Sequence, residues 1–395
     1  MVLLKQIGAV TLMNLRAVPQ RLSASAVAIV GIAGVVLILV AVLSVSEGFR
    51  RTLELAGSDR VAIVLRGNSD SEMASSFTEA EIELIEQAPG IARGAAGPIV
   101  SAELFTTVDQ PKRTTGTAAN APLRGIEAAG VSTRQHFHLL AGRMFAPGRH
   151  EVIVGRGAAH TLRGLDVGSS VQWGNVVWQV VGQFADGGSV SESEIWTDAR
   201  TLQDAYARGN SFQTVRVLLA SPASLQAFTR QLASDPRLDA NVRTERQFYA
   251  AQSAVIATVV RSAGTLLALL MGIGAVFGAL NTMYSAVAAR SIEIATLRAL
   301  GFGGAPVVVS VIVEALALAL VGGTLGAAAA YLGFDGFETS TLNYSSFSQV
   351  SFAFAVTPAL IASGLGYALL LGLVGGLTPA IRAARQPIAI GLRQS

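Results

Sequence analysis

The residues able to do chemistry are few, and their spacing argues against catalysis. The chain has no cysteine, which removes thiol nucleophiles, Cys-ligated metals and disulfides and is compatible with the bacterial periplasm. Its two lysines are Lys5 and Lys112, and neither follows the G-x-x-x-x-G spacing that cradles nucleotide phosphates. H-E-x-x-H and the G-x-S-x-G nucleophile elbow are also missing. His136 and His138 would share one face of a strand and could hold a metal, but exposed or hydrogen-bonded histidines fit the same spacing better. Glu192 and Glu194 are paired by spacing alone. The expectation is a non-catalytic chain that holds no metal and no cofactor of its own.

Three other patterns carry more. Glu314 is the one carboxylate inside a long apolar run, where an ionised group costs about 2.5–3.5 kcal/mol on insertion scales; it either pins neighbouring helices or carries function. Gly274–Gly278, Gly322–Gly326 and Gly372–Gly376 each give G-x-x-x-G, a spacing that lets membrane helices approach closely. Residues 290–304 predict a short amphipathic helix closed by Gly301. It offers Ile292, Ala295, Leu297 and Ala299 as small or apolar knobs and Glu293 and Arg298 as polar ones, with Arg290, Ile294 and Leu300 completing the segment. Such a helix suits docking into a groove on another protein; an interfacial turn lying on lipid headgroups is the plainer alternative.

The elements that must position these residues follow from charge and hydropathy. Of 395 residues, 51% are hydrophobic and 14% charged, against roughly 25% charged in soluble domains, and the mean hydropathy is +0.51. A net charge of +3 is too small to argue for nucleic acid. Uncharged runs cover Leu22–Ser46, Ser262–Ala289, Ala305–Phe334 (broken only by Glu314) and Phe352–Ile381. Each exceeds the roughly 20 residues that span a bilayer as a helix, and the first exceeds a signal-peptide core. The expected fold class is therefore a four-helix membrane protein, with spans at 22–49, 251–289, 305–334 and 352–381. A large extracytoplasmic α+β domain would fill 50–250, between the first two spans. The N-terminal segment, residues 1–21, predicts an interfacial amphipathic helix with Leu3, Ile7, Val10 and Met13 on one face and Pro19 ending it.

Within 50–250, strands are expected at 61–65, 151–154, 176–181 and 215–219. Thr78 with Glu81 forms a capping-box start for a helix through Glu86, with Phe77 and Ile82 as its hydrophobic staple. A second helix is expected over 221–232, and the Thr/Ala-rich stretch from Thr106 to Ala121 predicts a mobile loop.

Orientation follows from the short segments. Lys5, Arg16 and Arg21 at the start, Arg290 and Arg298 against Glu293, and Arg382, Arg385 and Arg393 at the end place both termini (the tail being 382–395) and the 290–304 segment in the cytoplasm. The 335–351 segment, with Asp335 and Glu338 and no base, becomes a short periplasmic loop.

The order of motifs resembles the FtsX-like permease family with a MacB-type periplasmic core domain, the permeases of type VII ABC transporters. N-L-R-x-x-P-x-R-L at Asn14–Leu22 is similar to the family's start. R-S-I-E-I-A-T-L-R-A-L-G at Arg290–Gly301 is similar to its coupling segment, followed by Glu314 and the Gly322–Gly326 run. P-A-x-R-A-A-R-x-P at Pro379–Pro387, then Leu392–Arg393, resembles its C-terminal signature. G-R-x-F-x-P-G-x-x-E-V-I-V-G at Gly142–Gly155 and W-x-V-V-G-x-F at Trp178–Phe184 resemble the core domain. The resemblance implies a permease in the bacterial inner membrane that pairs with a second copy or a paralogue. It also implies a separate cytoplasmic ABC ATPase, which would bind the ATP and Mg, since this chain has no fused ATPase domain. A periplasmic adaptor is a further implied partner, beside membrane lipids. Residues 290–301 would be the coupling helix, and 50–60 and 247–261 the stalk that carries ATPase motion outward. Export or extraction of a substrate is the expected role. The competing readings are a regulatory permease acting on a cell-wall hydrolase or a peptide signal without transport, and a secondary transporter. One intramembrane acid and no broken-helix pair argue against the last.

Overall fold

A computed structural model describes residues 2–17, 22–55, 57–343 and 346–388. Pro19, Arg21, Leu392 and Arg393, and the side chains of Leu3 and Lys5, lie outside the described residues.

The described helices are α1 (Val2–Ala17), α2 (Leu22–Leu55), α3 (Glu79–Glu86), α4 (Arg156–Thr161), α5 (Ala199–Ala205), α6 (Leu225–Ser234), α7 (Glu245–Ala289), α8 (Ser291–Ala299), α9 (Gly304–Phe334) and α10 (Pro358–Arg385). The strands are β1 (Val61–Arg66), β2 (Phe77–Thr78), β3 (Arg93–Gly94), β4 (Gly97–Pro98), β5 (Val100–Pro111), β6 (Ala118–Ile126), β7 (Phe137–Gly142), β8 (Glu151–Gly155), β9 (Ser170–Trp173), β10 (Val176–Asp186), β11 (Ile195–Asp198), β12 (Ser211–Phe212), β13 (Thr214–Leu218), β14 (Ala240–Thr244), β15 (Glu338–Asn343) and β16 (Ser348–Ala353). They form two compact units. One holds residues 1–47, 258–337 and 354–395; the other holds 48–257 and 338–353.

The first unit is a helical bundle. α2, α7, α9 and α10 are each long and apolar enough to cross a membrane. Ile32, Val36 and Val40 of α2 pack with Ala319 and Ala327 of α9 and Ala368 and Leu371 of α10. α1 joins this bundle as well as presenting an exposed face: Val10 and Asn14 are buried, and the Asn14 amide donates to the Ser310 hydroxyl at 2.9 Å.

The second unit is α+β. Its main sheet runs β14-β1-β13-β5-β6-β11-β8-β10-β7, with β9 also on β10. The β10–β8 and β11–β6 pairs are parallel and the rest antiparallel. Two apolar cores lie on it. One gathers Val64, Val215, Ile82, Ile85 and Phe228 under α3 and α6; the other gathers Val152, Val180, Trp178, Ile195 and Leu202. The expected capping box is formed, Thr78 and Glu81 each satisfying the other's backbone N–H.

The expected loop at Thr106–Ala121 is a correction. Most of that stretch is the β5–β6 hairpin, paired Leu104↔Gly125 through Pro111↔Ala118. Its threonines are β-branched and fit a pleated surface; Val108, Ala119 and Ala121 are buried in the second core. The 335–351 segment is likewise more than a connection. Asn343↔Ser348 through Glu338↔Ala353 pair as the β15–β16 hairpin, which belongs to the α+β unit. Ser193 accepts from the Ser351 backbone N–H at 2.8 Å, and the Asn120 amide donates to the Phe347 carbonyl at 2.9 Å.

Candidate functional site

α8 follows α7 after a single residue, Arg290, whose backbone lies outside helical geometry (φ −112°, ψ 13°). Its guanidinium turns inward and meets the Glu314 carboxylate of α9 at 2.6 Å, both side chains about 95% buried. Glu314 of the apolar helix α9 and Arg290, two residues that the sequence singled out separately, are thus one ion pair, which fixes the α7–α8 elbow against α9. A buried pair of this kind offsets the desolvation of each partner only while both are present.

The far end of α8 is closed by Gly301 at φ +93°, a conformation glycine adopts without steric cost. The Gly301 N–H donates to the Arg298 carbonyl and the Phe302 N–H to the Leu297 carbonyl, the paired bonds of a Schellman ending. Arg298 donates to the Gln386 carbonyl at 2.5 Å, tying α8 to the end of α10. Between these ends the helix has two faces. Ser291, Ile294 and Ala295 are buried, and Leu297 lines a small cleft with Val10, Met13 and Glu314. Ile292, Glu293, Thr296, Ala299 and Leu300 face outward, Leu300 at 72% exposure. Of the residues picked out by sequence, Arg290, Ile294, Leu297 and Arg298 build the elbow, while Ile292, Glu293 and Leu300 remain free to meet a partner.

The glycine pairs divide in the same way. A Cβ on Gly322 would stand 2.8 Å from the Ile29 carbonyl oxygen, and one on Gly326 2.3 Å from that of Ala33, so α9 rests on the α2 backbone there. A Cβ on Gly372 would stand 2.5 Å from the Ala319 Cβ, and one on Gly376 2.6 Å from that of Ala315, so α10 packs closely on α9 there. Gly274 and Gly278 meet nothing within 4 Å.

In the α+β unit a network of charges, not anticipated from the sequence, roots α7. Arg124 donates to Glu72, Glu103 and Glu194 at 2.8–3.1 Å. Arg134 pairs with Glu103, and Arg216 of β13 pairs with Glu245, the first residue of α7. Glu245 also accepts from the Ser58 N–H at 3.2 Å, and Arg246 pairs with Asp59 at 3.0 Å, which ties the start of α7 to the turn after α2. Burial pushes the Glu103 carboxyl up, but Arg134, Arg124 and Arg216 overrule it and hold it at about 2. Glu72 is lowered in the same way, burial being opposed chiefly by Arg124. These residues come from separate elements, so no spacing reveals them. The only sequence trace is an arginine set among apolar strand residues, as in Val215–Arg216–Val217 and Leu123–Arg124–Gly125.

The histidines and the spaced glutamates have structural uses. His138 Nδ1 lies 2.9 Å from the His136 carbonyl. Glu192 accepts from the Asp186 and Gly188 N–H groups, and Glu194 is held by Arg124. Among the described residues no group of three or more His, Cys, Asp or Glu side chains could hold a metal.

These features match a defined class. Residues 25–235 match the model of the MacB-like periplasmic core domain, and residues 265–388 that of the FtsX-like permease C-terminal region. The chain belongs to the MacB-like, FtsX-like family of ABC transporter permeases, whose members serve as generally non-catalytic subunits beside an ABC ATPase. Among solved structures it is similar to the extracellular domain of the noncanonic ABC-type transporter YknZ from Gram-positive bacteria, at 20% identity and a TM-score of 0.35 over 47% of this chain and 100% of that one. It is also similar to the periplasmic region of MacB from Actinobacillus actinomycetemcomitans, at 12% and 0.38 over 50% and 94%. A domain of a permease protein from Porphyromonas gingivalis matches at 10% and 0.29 over 47% and 87%. No curated protein matches.

Proposed function

We propose that this chain is the permease of a MacB-like transporter that takes up the motion of a separate ATPase at α8 and delivers it to an extracytoplasmic domain, driving export or extraction of a substrate. In this reading α2, α7, α9 and α10 span the bacterial inner membrane, both termini and α8 lie in the cytoplasm, and two permeases act together. The ATP and Mg belong to the ATPase. An adaptor would meet the outer domain.

The observation that carries the reading is the membership of α7. One helix, Glu245–Ala289, contributes to both units: its first residues are ion-paired within the α+β unit, and its end turns directly into α8 at Arg290. α7 has 45 residues, about twice the roughly 20 that span a bilayer as a helix. α2, with 34 residues, also continues into the outer unit. In this reading the motion enters at α8 and passes through α7, which runs directly into it, with no intramembrane relay of ionisable groups.

Mild-detergent purification of the tagged chain with mass spectrometry of its companions tests this. A stoichiometric ABC ATPase is expected, and a co-purifying adaptor or exported molecule supports transport. A cell-wall hydrolase bound in place of an adaptor would make the chain a regulator, and recovery without any ATPase, under conditions that hold a known ABC complex together, would overturn the reading.

A further inference from the structure

We infer that the groove between the last turns of α7 and α10 binds the headgroup phosphate of an anionic phospholipid. The inference rests on the reading of the apolar helices as membrane spans. The groove has a volume of about 790 Å³ and is lined by Tyr284, Ser291, Ile381, Arg382, Arg385 and Gln386, with no carboxylate among its walls. Arg382 and Arg385 stand one turn apart on α10, both exposed. Among the described residues neither is ion-paired, in contrast to Arg290, Arg124 or Arg216. The Arg382 guanidinium lies 5.5 Å from the Tyr284 ring centre, a cation–π contact that holds it over the groove while leaving its N–H donors available.

Two apolar stripes lead into this site. On α10, Leu370, Leu373, Leu377 and Ile381 are exposed at helical spacing, and Arg385 continues the row one turn on. On α7, Ile273 and Phe277 are exposed, and Asn281 and Tyr284 follow on that face toward the groove. Apolar faces that close on two free guanidiniums match acyl chains below a phosphate, the chemistry of basic pockets at the cytoplasmic ends of membrane helices. The positive-inside rule accounts for basic residues at this end of α10, but it requires neither a groove nor stripes converging on it. An ATPase is the less favoured occupant. The exposed knobs of α8, Ile292 and Leu300, do not line the groove, and the α8 residue that does, Ser291, is buried.

The test uses the full chain in nanodiscs of mixed phosphatidylglycerol and phosphatidylcholine, followed by release into detergent and native mass spectrometry of retained lipid. Retention of phosphatidylglycerol over phosphatidylcholine is expected. It should fall about fivefold in R382Q or R385Q and roughly 25-fold in the double variant, with an unchanged melting temperature. R382K/R385K should recover most of the preference. Retention without headgroup preference, or unchanged in the double variant, overturns the site while leaving the membrane reading intact; a chain that retains no lipid and needs no detergent overturns the membrane reading itself. Millimolar inorganic phosphate that binds the wild type while phosphatidylglycerol shows no preference would make the ligand a free anion and overturn the lipid assignment. So would displacement of the lipid by the bound ATPase.

Discussion

At the scale of single residues, two buried charge groups decide what each unit tolerates. Glu314 and Arg290 face each other at 2.6 Å away from water. Truncating one leaves the other charged and unpartnered, which costs about 3–5 kcal/mol. E314A should therefore lower the melting temperature of the detergent-solubilised chain sharply, while the apolar pair R290M/E314L should recover most of the loss. A double variant as unstable as E314A would show that the pair is not what holds the elbow. In the α+β unit the sign is set by Glu103, held at about 2 against its ordinary 4.5. A carboxylate lowered on folding contributes stability that is fully present above the unfolded value and is lost as pH falls through the folded one. The unit should thus lose stability between about pH 4.5 and about pH 2. Trp173, Trp178 and Trp196 all lie in this unit and are the only tryptophans of the chain, so selectively excited tryptophan fluorescence reports it alone. E103Q should be less stable at neutral pH and should show a flatter acid response; an acid response as steep as wild type would move the charge-sensitive group elsewhere.

At the scale of elements, the glycine pairs make opposite predictions from one motif. G322L or G326L inserts a side chain where α9 touches the α2 backbone, and overpacking of this kind costs about 1–3 kcal/mol or more. G274L and G278L meet open space within the chain and should leave its melting temperature unchanged. Destabilisation by G278L in the isolated chain would contradict the packing described. The same contrast shows what could be read from sequence. The four apolar helices, the capped α3, β1, β8, β10 and β13, and the end of α8 at Gly301 follow from local hydropathy, charge and turn chemistry, but α7 begins at Glu245 rather than 251, β10 runs on to Asp186, and α10 begins at Pro358 because Phe352 and Ala353, taken for the start of the last apolar run, pair in β16. The β5–β6 hairpin and the β15–β16 hairpin did not follow. Serines and alanines in these stretches give no strand pattern of their own; β5 and β6 are also held by pairing with the distant β13 and β11, and the β15–β16 hairpin by contacts to Ser193 and Asn120. The 290–304 segment was legible as an amphipathic helix, but which of its faces is free was not, because Arg290 is turned inward by a glutamate 24 residues away. The arginine–glutamate network of the α+β unit was invisible for the same reason: its members, from Glu72 to Glu245, meet only after the sheet has formed.

At the scale of the whole molecule, α7 has residues in both units: Glu245 at its start is held by Arg216 and the Ser58 N–H, and Arg290 turns its end into α8. The ATPase is expected to engage the free face of α8. I292D or L300D should abolish its co-purification or its stimulation by the permease while leaving the melting temperature and tryptophan fluorescence of the chain unchanged; stimulation that survived both changes would place the contact elsewhere. Because the native sequence has no cysteine, labels can be introduced at chosen sites without background. The most direct test of the central claim places one spin label at V177C in the α+β unit and one at L332C in the bundle, both exposed positions, dilutes the labelled permease with unlabelled copies, and measures the distance between the labels in nanodiscs with the ATPase bound. The account predicts that ATP shifts the distance distribution and that L300D removes the shift. A distribution that stays unchanged while the wild-type complex hydrolyses ATP would contradict it.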